Sequence, residues 1–266
     1  MYLYIMPESD VAPLRDIFGA GSMNDHVNTQ LWVQGAAQFI PRMNALLAHT
    51  QSLFKIVDMS TFTNPAQDVL GSILMENKSD KSTTHNYNIL YSYILGTLGR
   101  KNPLNLLEVG MGTNNPDLVS SMGADGRPGA SLYSFRDYLP NAQIHGADVD
   151  RDILFQADRI KTSYVDQMNL QTFKDMNVTF GNVKFDLIID DGLHSIGANV
   201  NTLLYALDQV ADGGWIVIED IHIPDNWRTI DCILGKDKRY ETFMVKAGNG
   251  YHYQSTSFMY VVHKLA

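Results

Sequence analysis

Three apolar runs that end in acidic residues or glycine constrain the fold of this chain more than any other feature. They are LLEVGMG at 106–112, IIDDGLH at 188–194 and IVIEDI at 216–221. In an open parallel α/β sheet, ligands bind outside the carboxyl ends of the strands. If these runs are strands of one sheet, their carboxylates converge on one crevice. The pattern therefore predicts a site for a cationic or hydroxyl-rich ligand, a metal ion, or both.

From residue 104 onward, apolar runs of strand length alternate with segments of helical spacing. Strands are predicted at 104–109, 143–148, 160–165, 185–190, 214–219, 240–246 and 257–264, and helices at 129–138, 151–157, 168–176, 195–210 and 225–235. This alternation is typical of βαβ units and predicts an α/β fold with a Rossmann-like, mostly parallel, seven-stranded sheet. The last two strands have no helix between them, so they are expected to form a hairpin with the last strand antiparallel.

Residues 1–100 follow a different pattern and are predicted to form a helical N-terminal region, separate from a domain at 101–266. Apolar residues recur at helical spacing over 30–60 and again around Ile89, with a polar loop predicted at 76–86. The N-terminal helices have three interpretations: an arm packed on the sheet, a lid over the site, or a contact that forms a homo-oligomer.

Composition and charge exclude several classes of function. The chain has 266 residues, a net charge of −9 and a sequence pI near 5.2, which disfavours nucleic-acid binding. It contains no apolar run of about 18 residues, so no membrane span is expected, and its first residues do not resemble a signal peptide. The single cysteine, Cys232, excludes an intramolecular disulfide and fits a cytoplasmic protein.

The glycine turn at 108–112, with the pattern E-x-G-x-G, is a candidate cofactor-binding turn. Gly110 and Gly112 would let the backbone approach a ligand closely, although an ordinary β–α turn has the same pattern. Asp148 ends the next strand, where it could bind a ribose diol. Asp166 and Gln167 follow the third strand and could bind an adenine edge, or Asp166 could cap a helix. The insertion at 113–128 is long for such a connection and is predicted to be a functional loop.

Paired acids follow two further strands, Asp190 and Asp191 after the fourth and Glu219 and Asp220 after the fifth. Such neighbours repel one another unless a cation or hydrogen-bond donors compensate them. Helix capping would explain one acid at each strand end, but it does not explain two adjacent pairs. The paired acids therefore favour a metal ion. Hard oxygen ligands without paired cysteine or histidine indicate Mg²⁺. His194 could accept a proton from a hydroxyl group, or have a structural role.

Taken together, these motifs resemble class I S-adenosylmethionine-dependent methyltransferases. The similarity is greatest to the magnesium-dependent sugar O-methyltransferases of macrolide biosynthesis, of the mycinamicin and tylosin type. It covers about residues 79–227 and includes SDKSTTHNY at 79–87, the stretch from GASL to HGAD at 129–148, and RIKT at 159–162. The most specific part is D-G-x-H followed by E-D after the next strand.

The resemblance implies a role for each candidate site residue. It implies metal ligands at Asp191, Glu219 and Asp220, where Mg²⁺ or another hard divalent cation would bind, and His194 as the general base beside Asp191. The implied contacts to S-adenosylmethionine are Glu108, Gly110, Gly112, Ser131, Asp148, Asp166, Gln167 and Asp190. The segment at 81–87 is expected to approach the cofactor or the substrate, with no role implied for its individual residues.

The sequence thus predicts methyl transfer to a hydroxyl of a sugar or sugar-like polyol, either free or linked to a carrier. A catechol-like or phosphoryl-linked acceptor is an alternative, because a metal ion requires only neighbouring oxygens. An NAD(P)-dependent oxidoreductase would need a fuller glycine fingerprint. A non-catalytic cofactor-binding subunit would not need acids at every strand end.

Overall fold

The computed structural model of this chain describes residues 42–43, 55–59, 62, 65–83, 85–247 and 258–266. Most of the predicted N-terminal helical region before residue 55 lies outside the described residues. Most of the connection between the last two strands also lies outside them. No helix in the described part of the chain is both long enough and apolar enough to span a membrane.

A single mixed sheet forms the centre of the molecule. It has nine strands among the described residues, in the order β1-β8-β9-β7-β6-β2-β3-β5-β4. Their bounds are β1 Ile56–Asp58, β2 Asn105–Val109, β3 Gln143–Asp148, β4 Gln156–Ala157, β5 Ile160–Tyr164, β6 Phe185–Asp190, β7 Val210–Ile221, β8 Tyr240–Lys246 and β9 Phe258–Lys264. The α/β class with a mostly parallel sheet is confirmed, and so is the antiparallel last strand, since β9 runs antiparallel to both β7 and β8.

The predicted count of seven strands was wrong because two short strands add to the edges of the sheet. β1 pairs in parallel with β8, in a segment where helical spacing was predicted. β4 pairs antiparallel with β5 and occupies part of the predicted helix at 151–157. There, Asp150 caps one 3₁₀ turn at Arg151–Ile153, and Arg159, with a φ of 56°, turns the chain into β5. Strands of two or three residues depend on their partner strands and carry little sequence signal of their own.

Helices cover both faces of this sheet. They are α1 Pro65–Glu76, α2 Asn88–Leu98, α3 Ala130–Tyr138, α4 Leu170–Thr179, α5 Ile196–Gln209 and α6 Arg228–Leu234. Ser195 caps α5 by accepting from the Ala198 N–H group. α4 is capped by Asn169 and not by Asp166, which the sequence had offered as a possible helix cap. These caps satisfy N–H groups that have no partner within the helix and fix where each helix begins.

Two apolar cores lie on opposite faces of the sheet. One includes Tyr91, Ile94 and Leu95 of α2, packed with residues of α1, α3 and the strands. The other includes Phe173 of α4 and Leu203 of α5. The helices at 65–98 therefore pack directly on the sheet, while the division of the chain near residue 100 stays a prediction.

The sheet topology places a crevice at the carboxyl end of β2. β2 lies between β3 on one side and β6 on the other, and all three strands are parallel. The order of the strands reverses at this point, and ligands of open α/β sheets bind in the crevice outside such a reversal. Val109 and Asp190 end the two neighbouring strands there, and Glu108 directly precedes Val109.

Candidate active site

The glycine turn after β2 brings the ends of β2 and β6 together. Gly110 has a φ of 90°, and a Cβ atom there would lie 2.1 Å from the carbonyl oxygen of Asp191. The Asp191 N–H group donates to the Val109 carbonyl at 2.8 Å. Only glycine fits this close approach of two backbones, so Gly110 is what allows Glu108 and Asp191 to border the same crevice.

Glu108 is buried in this crevice, and only one of its two carboxylate oxygens accepts an aligned hydrogen bond from the described residues. Its carboxylate is 2% exposed. The Ser131 hydroxyl, in the first turn of α3, donates to Oε2 at 2.5 Å. Oε1 accepts no aligned hydrogen bond from the described residues, although the Lys81 ammonium lies 3.2 Å away. Burial raises the pKa of Glu108 above its ordinary value, and the attraction of Lys81 opposes this shift.

Asp148, at the end of β3, organises the glycine turn. Its Oδ2 accepts from the Met111 N–H group at 2.8 Å, and its Oδ1 accepts from the Asp150 N–H group at 2.9 Å. Burial raises the pKa of Asp148, and these N–H groups oppose the rise. Asp148 therefore lies beside the turn, while its contact with a cofactor ribose stays a prediction.

The insertion at 113–128 folds back on the same turn. The Met122 N–H group donates to the Thr113 carbonyl at 2.9 Å, and the Thr113 hydroxyl donates to Asp150. A Cβ atom at Gly112, where φ is 77°, would lie 2.4 Å from the Met122 sulfur. The insertion thus packs against the crevice, while its predicted functional role stays a prediction.

Gln167 and Asp190 face each other rather than the open crevice. Gln167 is 7% exposed and donates to Asp190 Oδ1 at 2.7 Å and to the Thr202 hydroxyl at 2.8 Å. Its Oε1 accepts from the Leu193 N–H group at 2.7 Å. Asn199 donates to the other oxygen of Asp190. These bonds fix the loop at 191–194, and a cofactor contact of Gln167 or Asp190 stays a prediction. Asp166 lies half-buried next to them and accepts from the Met168 N–H group.

Asp191, His194 and Asp220 come together at the carboxyl ends of β6 and β7. One ligand atom from each lies within 4.8 Å of the other two. His194 Nε2 is 3.8 Å from Asp191 Oδ1 and 3.7 Å from Asp220 Oδ2. His194 Nδ1 is buried and has no hydrogen-bond partner among the described residues. Two carboxylate oxygens and an imidazole nitrogen in this arrangement could hold a divalent cation, or the imidazole could act as a base beside one.

Glu219, the third predicted metal ligand, lies deeper and already has two donors. It is 1% exposed. The Tyr91 hydroxyl of α2 donates to Oε1, and the Lys81 ammonium donates to Oε2 at 2.6 Å. Burial and the repulsion of Asp191 raise the pKa of Glu219 well above its ordinary value, although Lys81 opposes them.

Lys81 is the functional candidate to which sequence reasoning gave no role. It lies in a 3₁₀ turn at Asp80–Ser82 and is 2% exposed. Its ammonium group is 2.5 Å from Asp191 Oδ2 as well as 2.6 Å from Glu219. Burial alone would lower the pKa of Lys81, but the attraction of Asp191, Glu219 and Glu108 raises it well above its ordinary value. Lys81 is therefore a buried cation.

Two tyrosines one helical turn apart accompany Lys81. Tyr87 donates to Asp220 Oδ1 at 2.5 Å, and Tyr91 donates to Glu219. The sequence held a signal for these two contacts. Both tyrosines lie in the apolar pattern of a predicted helix, and a buried tyrosine hydroxyl needs a polar partner. Side chains from the predicted N-terminal region thus contact the acids at the strand ends.

Comparison with known proteins supports the resemblance read from the motifs. No family model matches this chain. It is 31% identical over 154 residues to 8-demethyl-8-(2-methoxy-alpha-L-rhamnosyl)-tetracenomycin-C 3'-O-methyltransferase of Streptomyces olivaceus, covering 57% of this chain and 36% of that protein. It is 36% identical over 94 residues to mycinamicin VI 2''-O-methyltransferase of Micromonospora griseorubida, covering 35% of this chain and 23% of that protein. Over these stretches this chain is similar in sequence to sugar O-methyltransferases.

The fold agrees with this relationship. The structure of the MycE methyltransferase from the mycinamycin biosynthetic pathway, in complex with Mg and SAH, superposes with a TM-score of 0.56 at 21% sequence identity. The superposition covers 76% of this chain and 55% of MycE. This chain thus spans well under two thirds of the length of the related sugar O-methyltransferases named here.

Proposed function

We propose that this chain is an S-adenosylmethionine-dependent, metal-dependent O-methyltransferase that acts on a hydroxyl of a sugar or sugar-like polyol. The observation that carries the proposal is the meeting of Asp191, His194 and Asp220 within 4.8 Å, directly beside the Glu108–Gly110 turn. The relationship to sugar O-methyltransferases supports the choice of acceptor. The finer assignments, including a carrier-linked acceptor, a cytoplasmic location and oligomerisation through the N-terminal helices, are part of the same proposal.

The acids at the strand ends fit a hard divalent cation. Asp191 and Asp220 are half-buried, and each has one oxygen turned towards His194. Glu219 uses both oxygens for Tyr91 and Lys81, but each carboxylate oxygen has a second lone pair. We propose Asp191, Glu219 and Asp220 as the ligands, because carboxylate oxygens are what Mg²⁺ prefers.

The crevice beside Gly110 fits a cationic methyl donor. Glu108 Oε1 is buried and accepts no aligned hydrogen bond from the described residues. The Lys81 ammonium 3.2 Å away offsets part of its charge, and a carboxylate oxygen keeps a further lone pair for a hydrogen bond from a ligand. We propose Glu108, Gly110, Asp148 and Asp166 as the nearest contacts. Those contacts would be held in position by Gly112, Ser131, Gln167 and Asp190.

The chain's own residues would then align the acceptor and take its proton. When bound, S-adenosylmethionine supplies an activated methyl group, and a divalent cation would lower the pKa of a hydroxyl in contact with it. His194 Nε2, which faces Asp191 and Asp220, would accept the hydroxyl proton. Asp191 and Asp220, both within 4 Å of Nε2, would stabilise the resulting imidazolium.

A cleft of about 170 Å³ opens beside His194 and Asp220, and we propose that it receives the acceptor. His222 and Asn226 contribute polar groups to its wall, and Ile223 and Trp227 contribute apolar surface. Such a mixed lining suits a sugar, which presents hydroxyl groups at its edge and C–H groups on its faces. The cleft therefore leads directly to the proposed base.

A transfer assay with radiolabelled methyl donor tests the proposal. The chain would be incubated with labelled S-adenosylmethionine, Mg²⁺ and one of three acceptors: a rhamnosylated polyketide, its sugar-free aglycone, or a simple catechol. We expect label only in the glycosylated acceptor, loss of transfer in excess EDTA, and recovery with added Mg²⁺. Equal labelling of the aglycone would contradict the sugar acceptor, and full activity in EDTA would contradict the metal.

A further inference from the structure

The buried ammonium of Lys81 lies where the acids of the proposed metal site meet the acid of the proposed cofactor site. Its Nζ is 2.5 Å from Asp191 Oδ2, 2.6 Å from Glu219 Oε2 and 3.2 Å from Glu108 Oε1. Among the residues that the structure describes, no other lysine or arginine forms an ion pair with these three acids. Lys81 is therefore their resident counter-ion.

Three neighbouring carboxylates in a buried place repel one another strongly. Glu108 and Glu219 are almost fully buried, and Asp191 is 25% exposed. Charges buried in this way are tolerated only when they are paired. In the metal-free protein Lys81 provides that pairing, and it holds the Asp191 and Glu219 side chains at fixed positions.

The same geometry places the Lys81 ammonium where it would repel a bound metal ion. A cation bound by Asp191 and Glu219 would lie close to an ammonium group that already contacts both carboxylates. Like charges repel at such distances, and the repulsion is stronger in a buried site than in water. The ammonium also occupies one lone pair on each of the two carboxylates, which further weakens them as ligands.

We infer that Lys81 is a positioning residue that holds Asp191 and Glu219 ready for a divalent cation and at the same time lowers their affinity for it. The inference rests on the proposed metal-dependent function. Lys81 and the metal ion would both neutralise the negative charge of the same acids. Removing the ammonium should therefore leave a site that binds a divalent cation more tightly and depends on it more for stability.

Direct Mn²⁺ titration by electron paramagnetic resonance tests this without any activity measurement. The proteins are the wild type, Lys81→Met, Lys81→Gln and Lys101→Met, whose side chain is exposed and remote from the site. We expect Mn²⁺ to bind Lys81→Met and Lys81→Gln about tenfold or more tightly than the wild type. We also expect Mn²⁺ to raise their thermal midpoints further. Lys101→Met should match the wild type in both measurements.

The remaining outcomes separate this inference from the proposed function. If the wild type binds Mn²⁺ and the Lys81 variants bind it equally or more weakly, the inference is wrong and the metal site stands. If both Lys81 variants fail to fold even in saturating Mn²⁺, the inference is also wrong, because the ion then cannot replace the ammonium. If none of the four proteins binds Mn²⁺, both the inference and the metal-dependent function are overturned.

Discussion

His194 and Asp220 both have a left-handed backbone, with a φ of 53° at each residue, and their side chains approach to 3.7 Å. Non-glycine residues rarely adopt this conformation, and where they do so the strain is often found at functional sites. In this chain His194 follows β6, and Asp220 lies at an irregularity in the pairing near the carboxyl end of β7. The conformation turns both side chains towards Asp191, which is the arrangement that the proposed chemistry requires.

Asp191→Asn should remove most of the turnover while leaving cofactor binding intact. The amide lacks the charge that a divalent cation requires, and losing several kcal/mol of stabilisation lowers kcat by more than about 100-fold. Asp191 is not among the proposed cofactor contacts, so the Kd for S-adenosylhomocysteine should stay near that of the wild type. Transfer rates and calorimetry measure the two quantities.

Asp208→Asn is a matched control for Asp191→Asn because Asp208 is exposed at the far end of α5. It should match the wild type in both measurements. A fully active Asp191→Asn variant would exclude Asp191 as a metal ligand.

His194→Asn should separate the role of a base from that of a ligand. Asparagine tolerates a left-handed backbone better than most residues, so the loop should keep its shape while the base is lost. Loss of a general base lowers turnover by about 10²–10⁴-fold. Mn²⁺ affinity should change little. If Mn²⁺ binding falls as much as turnover does, His194 is a ligand instead.

Gln167→Met should destabilise the chain more than it weakens cofactor binding. The substitution removes donors to Asp190 and Thr202 and the acceptor for the Leu193 N–H group, at a cost of roughly 2–4 kcal/mol in the free energy of unfolding. Urea unfolding measures this, with the exposed Gln171→Met as control. A large loss of S-adenosylhomocysteine affinity without destabilisation would instead support the adenine contact predicted from the sequence.

Stability should fall in mild acid because of His145. The ring is buried between Phe180 and Phe185, and this burial lowers the pKa of His145, although a hydrogen bond to the Leu106 carbonyl opposes the shift. A lowered folded-state pKa means that the unfolded chain binds the proton more tightly. The stabilisation is thus present above the unfolded pKa of about 6.5 and is lost as the pH falls through the folded pKa.

His145→Phe removes the titrating ring and keeps the aromatic packing. The free energy of unfolding of the wild type should drop between about pH 8 and about pH 5.5, and the drop should be smaller in the variant. Chemical denaturation at the two pH values measures it. An equal drop in both proteins would mean that other groups cause the acid sensitivity.

The strand ends could be predicted from the sequence because long apolar runs and the acids that follow them are local signals. β3, β6 and β8 have the predicted bounds, and Asp191, His194 and Asp220 meet as the parallel alternation implied. The short strands β1 and β4 could not be predicted, since their pairing depends on β8 and β5.

The contacts of Lys81 and Gln167 could not be read from the sequence for a related reason. Lys81 precedes Asp191 by 110 positions, and nothing local to a polar loop shows that its lysine is buried. Gln167 matched a motif position for the cofactor, and nothing local shows that its side chain also reaches Leu193 and Thr202. Long-range packing decides which polar side chains line a crevice and which of them hold it in shape.

Anomalous diffraction from crystals grown with Mn²⁺ and S-adenosylhomocysteine tests the central claim most directly. We expect an anomalous peak at metal–oxygen bonding distance, about 2 Å, from carboxylate oxygens of Asp191, Glu219 and Asp220. We also expect the cofactor's sulfur, beside Gly110, to face the open side of the ion. A peak elsewhere, or a cofactor bound away from the Glu108–Gly110 turn, would contradict it.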